Sequence, residues 1–298
     1  MSEIVSKKIF RDKKIRISKP KWLRKPLPSG PEYEKIRSFL HKGCLNTVCF
    51  EAKCPNQFEC YSRGTATFLI MGDKCTRNCR FCSIGSGPLS LPDKDEPANI
   101  ARAAKEMGLE YVVVTSVTRD DIHDGGASFF AEVIRKLKEN IEGVKTEVLI
   151  PDFQGDENAL DIVVKACPDV INHNVETIKR LYPLIRPEAS YERSLEVLRY
   201  LKSADEKILI KSGLMAGLGE TMDELKKTVE DIKRSGADFI TIGQYLQPTR
   251  NHAQVERFVT PEEFEELYLF SIKTGFKGAA SGPFVRSSYK ASDMFSKN

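Results

Sequence analysis

From Thr67 onward the chain alternates short apolar runs with longer amphipathic stretches. Runs of strand length fall at Thr67–Met71, Tyr111–Thr115, Thr146–Ile150, Val170–His173, Ile208–Lys211 and Phe239–Ile242. Between them apolar positions recur at helical spacing near Ala98–Met107, Ser128–Glu139, Ala159–Ala166, Ser190–Leu201 and Met222–Ser235. A sixth helix follows at Pro261–Thr274, opened by Thr260-Pro261-Glu262-Glu263 with proline in its first turn. Six strands alternating with six helices predict a parallel sheet with right-handed crossovers. Polar residues follow every strand, at Asp73–Cys82, Ser116–Gly126, Pro151–Gly155, Asn172–Glu176, Ser212–Gly219 and Gln244–Asn251. A rim supplied by all six strands favours a curved barrel over a sheet with one switch-point crevice. Six units are too few for a full eight-fold barrel. The expected fold is therefore α/β, a partial (β/α)6 TIM-like barrel with a lateral mouth.

The ends of the chain break this pattern. Residues 31–65 are rich in cysteine and show little period beyond a short helix near Glu32–His41. The expected parts are residues 1–65 as a basic arm and cysteine-rich extension, 66–275 as the barrel, and 276–298 as a short C-terminal tail. The net charge of +4 is mild but unevenly placed. The first 26 residues carry Lys7, Lys8, Arg11, Lys13, Lys14, Arg16, Lys19, Lys21, Arg24 and Lys25 against Glu3 and Asp12. Residues 1–18 read as a solvated arm, and such an arm can steer an acidic protein partner. A transit peptide would be rich in Arg and Ser. This arm is Lys-rich and leads straight into Lys19-Pro20-Lys21-Trp22-Leu23-Arg24, which holds the single tryptophan. The arm lacks interleaved aromatics, which argues against nucleic acid, and no apolar run is long enough to span a bilayer. The expected compartment is the cytoplasm, from reduced cysteines and the lack of an export signal.

Six of the eight cysteines form two triads of different spacing. Cys75, Cys79 and Cys82 read C-x3-C-x2-C, and Cys49, Cys54 and Cys60 read C-x4-C-x5-C. Three thiolates can hold three irons of a [4Fe–4S] cube and leave the fourth for another ligand. Two such triads suggest two clusters with separate tasks. A disulfide framework does not suit a chain of 298 residues without a secretory signal. Structural zinc would prefer paired C-x2-C knuckles supplying four ligands. Cys44 could complete such a set, although Cys44 and Cys167 both read more simply as buried small hydrophobes.

The segment Cys75-Thr76-Arg77-Asn78-Cys79-Arg80-Phe81-Cys82, just after the first strand, resembles the radical S-adenosylmethionine (SAM) superfamily. The resemblance implies that SAM chelates the open iron and is cleaved to a 5′-deoxyadenosyl radical. It also places a glycine-rich segment for the methionine end of the cofactor at Asp120–Ala127, with Gly125 and Gly126 admitting a close backbone approach. A second glycine-rich loop, Lys211–Thr221, resembles the adenine-side loop. Further SAM contacts expected at or near strand ends are Thr115, Ser116, Glu147, Asn172 and Arg186, the last able to pair the cofactor carboxylate. Tyr245 and Gln247 are expected on the same rim.

The resemblance narrows to the lipoyl synthase family across nearly the whole chain. It is carried by Lys19–Arg24, the Cys49/Cys54/Cys60 triad, Thr115–Asp121, Ile150–Gly155, Asn172–Thr177, Gly243–Thr249 and Arg286-Ser287-Ser288-Tyr289. It implies insertion of two sulfurs, at C6 and C8 of a protein-bound octanoyl-lysine, with the auxiliary cluster as sulfur donor. The auxiliary iron would take a serine, Ser288 with Ser287 as the alternative, and a hard alkoxide suits a ligand that must be released. The implied partners are an octanoylated carrier domain (of a 2-oxoacid dehydrogenase or the glycine cleavage H protein), a ferredoxin or flavodoxin donor, and a cluster-assembly carrier. Competing readings are another two-cluster sulfur inserter, such as a methylthiotransferase, and a metal-bearing binding module.

Overall fold

The computed structural model describes residues 18–24, 34, 38, 45–51, 54–62, 67–289 and 291–295. The expected arm over residues 1–18 lies almost wholly outside these residues, as do Cys44 and most of the helix expected near Glu32–His41. The sheet runs β1 (Thr67–Ile70), β2 (Tyr111–Ser116), β3 (Lys145–Leu149), β4 (Val170–Asn172), β5 (Leu209–Ala216), β6 (Phe239–Gln244) and β7 (Gly278–Gly282). Each strand pairs in parallel with its predecessor, so spatial order equals chain order. This sequential winding is the barrel expectation. It holds with one strand more than predicted, because the stretch assigned to the tail begins with β7. The extra strand lacks an apolar period: Gly278-Ala279-Ala280-Ser281-Gly282 pairs only with β6 and is half-buried throughout.

Two cysteine-bearing helices, α1 (Val48–Glu51) and α2 (Gln57–Ser62), precede the barrel. Its crossover helices are α3 (Glu96–Glu106), α4 (Ala127–Asn140), α5 (Glu157–Lys165), α7 (Tyr191–Ala204), α8 (Met222–Arg234) and α9 (Pro261–Lys273), with a single turn α6 (Tyr182–Ile185) before α7. Their starts follow local chemistry. Thr221 with Glu224, and Thr260 with Glu263, form reciprocal capping boxes at α8 and α9. Ser190 and Asp156 accept from backbone N–H groups at the starts of α7 and α5. Cys167 departs from expectation. It is exposed in a turn after α5 with φ +57, and its carbonyl accepts from Lys138 Nζ. The apolar face of α5 ends before it.

Alternate strand residues divide the sheet. Phe68, Val112, Val114, Val148, Ile171, Ile210, Ile240 and Ile242 join the apolar core beneath the helices. The other set carries Thr115, Glu147, Asn172, Lys211 and Thr241, all buried, on the concave face. The open edge of β1 is occupied by the cysteine-rich extension. Thr47 bridges Phe68 antiparallel, and Leu69 N donates to Asn46 O at 2.9 Å. This covers an edge that parallel pairing leaves unmet, and it seats Cys49 beside the barrel.

Inside the barrel Lys211 Nζ lies 2.9 Å from Glu147 Oε1, and Tyr111 OH donates to Glu147 Oε2 at 2.6 Å. Both charges are almost wholly sequestered, so removal of one leaves the other unpaired in a dry interior. Glu147→Gln is expected to lower unfolding free energy by about 3 kcal/mol. Glu147→Gln/Lys211→Met is expected to recover most of that loss. Urea midpoints of the two variants check this; equal midpoints would show that the pair does not carry the interaction.

Candidate active site

The Cys75 loop is fixed to the ends of three successive strands. Arg77 donates to Asp120 through Nε (2.7 Å) and Nη2 (2.9 Å), and its Nη2 also reaches Asp152 at 2.6 Å. Thr76 N donates to Thr118 O at 3.0 Å, and Arg80 N to Ile185 O at 2.8 Å. From the far side His252 Nε2 meets Cys82 O at 2.7 Å, and Ala253 N donates to Arg80 O at 2.8 Å. Tyr245 and Gln247 brace that same segment: Tyr245 OH donates to Ala253 O, and Gln247 Nε2 to His252 O. Backbone N–H groups of Arg77 and Thr118 point at Cys75 Sγ, at 3.4 and 3.3 Å. Such donors stabilise a thiolate that ligates iron.

All six triad cysteines are free thiols. Burial pushes Cys82 up to about 12 and also raises Cys79, the latter partly offset by Arg186. Burial, and then the neighbouring charge of Cys54, pushes Cys49 up to about 12. Thiols packed this way become thiolates when a cationic centre compensates them. The second triad is held by Cys54 N donating to Cys49 O (3.1 Å) and Cys60 N to Asn56 O (2.9 Å). A strap following β7 closes over it. Asn56 Nδ2 donates to Phe284 O at 2.6 Å, and Tyr289 OH to Glu59 Oε1 at 2.7 Å. Between these anchors Ser287 Oγ accepts from Asn174 Nδ2 at 2.7 Å.

The residues expected at SAM divide into two groups. Ser116 Oγ, Asn172 Oδ1 and Arg186 Nε are buried without a hydrogen-bond partner. These orphans mark polar capacity held ready for a ligand. Arg186 is oriented by Nη1, which donates to Asn174 O, Val175 O and Tyr182 OH at 3.1, 3.2 and 3.1 Å. The others are engaged by the chain. Thr115 Oγ1 donates to Leu149 O, and both oxygens of Glu147 serve the interior network. Gly125 and Gly126 adopt φ +60 and +90 at the start of α4, and a Cβ on either would strike Phe153 or Met71. Their bareness is thus explained by the chain's own packing. The second glycine-rich loop is shorter than expected, since residues 211–216 belong to β5. Sequence reasoning passed over Arg77, Asp120, Asp152, Asn174, Glu176 and Arg286, whose significance comes from tertiary proximity. A cavity of about 280 Å3 lined by Asp120–Gly125, Phe153, Gln154 and Asp156 contains none of the cysteines.

With this geometry in view, comparison with known proteins decides the family. Residues 69–232 match the radical SAM superfamily, and residues 2–54 match the N-terminal domain of lipoyl synthase of that family. The lipoyl synthase of Desulfotalea psychrophila is 53% identical over 287 residues, 96% of each chain. That of Caldicellulosiruptor bescii is 54% identical over 275 residues, 92% of this chain and 94% of its own. The chain belongs to the lipoyl synthase family. It is a radical SAM sulfurtransferase whose cofactors are [4Fe–4S] clusters and SAM, and whose substrate is protein-bound. Solved structures extend the fold further. Methylornithine synthase has a TM-score of 0.55 at 14% identity, covering 76% of this chain and 74% of its own. Streptococcus suis SuiB bound to S-adenosylmethionine has 0.58 at 12%, covering 72% and 49%. Among the described residues no helix is long and apolar enough to cross a membrane.

His173 gives this site a pH dependence. Its Nδ1 meets Ile150 O at 3.1 Å, which fixes the proton there, and Nε2 is buried without a partner. Burial, helped by the nearby Arg186 charge, pulls the ring down from 6.5 to about 4. The unfolded chain therefore binds the proton first as pH falls. The contribution is full above about pH 6.5 and is lost progressively towards pH 4, a change of roughly 3 kcal/mol. Denaturation midpoints of His173→Gln are expected to lack this acid step. A step identical to the parent's would place it on another group.

Proposed function

We propose that the C-terminal rim of the barrel receives the octanoyl chain between the two triads. Cys75, Cys79 and Cys82 hold the radical-generating cluster, and Cys49, Cys54 and Cys60 with Ser288 hold the auxiliary one. When bound, the clusters and SAM supply a carbon radical able to take unactivated hydrogens and sulfide to insert at C6 and C8. The chain's own part is positional. Ser116, Asn172 and Arg186 meet the cofactor through their unpartnered atoms, with Arg186 opposite its carboxylate. Thr115, Gly125 and Gly126 shape the adjoining rim, while Glu147 keeps Lys211 in place below it. The observation that carries this reading is the strap. Its anchors at Asn56 and Glu59 tie the segment that carries the serine pair to the segment that carries the auxiliary triad, and Asn174 donates to Ser287 between them.

Ser287 Oγ already accepts from Asn174, which favours Ser288 as the ligand of the pair. Among the described residues, 45–62 and the strap after β7 serve the auxiliary half of the site, and the barrel the radical half. The carrier is an octanoylated domain of a 2-oxoacid dehydrogenase or glycine cleavage H protein, met in the cytoplasm. A ferredoxin or flavodoxin supplies electrons, and a cluster-assembly carrier rebuilds the donor.

Anaerobic reconstitution is expected to load about eight irons per chain, and turnover with reductant and SAM to convert the octanoylated carrier. Loaded protein that leaves the carrier's mass unchanged would contradict the reading. In a Cys75→Ala/Cys79→Ala/Cys82→Ala background, Ser287→Ala is expected to retain about four irons, whereas Ser288→Ala loses iron on gel filtration. In the full chain Ser288→Ala is expected to lower product formation about tenfold or more. The opposite pattern would move the ligand to Ser287.

A further inference from the structure

We propose that Asn174 couples the SAM pocket to the strap over the auxiliary triad, so that SAM affinity depends on the auxiliary side being loaded. The proposal rests on the two-cluster reading above. Asn174 follows β4 and is buried, and its amide nitrogen donates in two directions. One bond goes to Glu176 Oε1 at 2.9 Å, and the other to Ser287 Oγ at 2.7 Å, 113 residues further along the chain. On the cofactor side its backbone carbonyl accepts from Arg186 Nη1 at 3.1 Å. The amide oxygen is buried without a partner. It lies over Gly213, where an added Cβ would stand 2.7 Å from it, so only glycine leaves room for this side chain.

Charges repeat the connection. Arg186 interacts electrostatically with Cys79 of the first triad, and Arg286, next to Ser287, with Cys54 of the second. Burial raises the pKa of Glu176, and the charges of both arginines partly offset that rise. Glu176 is held at φ +70, an uncommon conformation for a residue with a Cβ. Two backbone bonds to β5 fix it there, Glu176 N to Gly213 O (2.9 Å) and Met215 N to Glu176 O (2.8 Å). The hydrogen-bonded link therefore runs from Arg186 through Asn174 to Glu176 and Ser287.

The energetic consequence follows from linkage. A docked strap fixes the Asn174 amide, which lies beside the carbonyl that orients Arg186. A cofactor binding Arg186 through Nε then meets a group already in place and loses less to ordering it. The same factor must act in reverse, with bound SAM favouring the docked strap. The enzyme would in this way bind SAM weakly once its sulfur donor is gone, and spare cofactor that could yield no product.

The test is a double-mutant cycle read out in SAM affinity, measured by equilibrium binding to the anaerobically reconstituted full chain. Its corners are the parent chain, Cys49→Ala/Cys54→Ala/Cys60→Ala, Asn174→Ala, and their combination. Loss of the auxiliary triad is expected to weaken SAM binding about tenfold in the parent background, and less than about twofold in the Asn174→Ala background. An equal factor in both backgrounds, or no weakening in the parent, overturns the proposal. Asn174→Asp, which keeps the size but loses both donors, guards against misfolding at this position and is expected to match Asn174→Ala. About four irons in the triad variant confirm that the radical site is intact. A parent chain that shows the coupling but leaves octanoylated carrier unchanged would count against the function reading alone.

Discussion

The guanidinium of Arg77 is the contact on which the rest of this site depends. It leaves the loop after β1, takes Asp120 from the loop after β2, and takes Asp152 from the loop after β3. Asp152 has no exposed surface and is also approached by Arg193 of α7 at 3.4 Å. Burial opposes the Asp152 charge, yet the bonds from Arg77 hold its carboxyl well below the usual range. A buried group with this many partners cannot lose one cheaply, since the remaining charges stay in a medium that solvates them poorly. The three cysteines of the loop thus inherit their geometry from ion pairs as well as from the strands beneath them.

The second triad has no such rigid base. Cys49 and Cys60 lie on short helices and Cys54 on the link between them, and they are held by an edge pairing with β1 and a strap from the other end of the chain. This division suits the two tasks. In the roles proposed above, the centre used repeatedly is anchored in the sheet, whereas the donor consumed in turnover is held by contacts between distant segments. Asn174 stands where the two halves touch.

The sequence made the sheet legible because six strands are apolar runs and their crossovers are amphipathic. β7 was hidden because Gly278–Gly282 needs only small residues that fit beside β6. β5 was read too short because Ser212 and Gly213 look like loop residues, yet they belong to a strand whose concave face must leave room for Asn174. Both cysteine triads are legible from spacing, since their members lie close in sequence. The contacts that join the halves could not, because Asn174 to Ser287 and Asn56 to Phe284 span 113 and 228 residues. Glu147, expected at the cofactor from its place on a strand, has both oxygens paired in the barrel interior, with Lys211 and Tyr111.

The central claim is that the chain supplies both sulfurs from its own Cys49/Cys54/Cys60 side. The most direct measurement is mass spectrometry of the carrier after single turnover by protein reconstituted with heavy-isotope sulfide and then freed of excess reagent. The account predicts that both inserted sulfurs carry the label. Unlabelled sulfur in the product would contradict it, because the donor would then lie outside the chain.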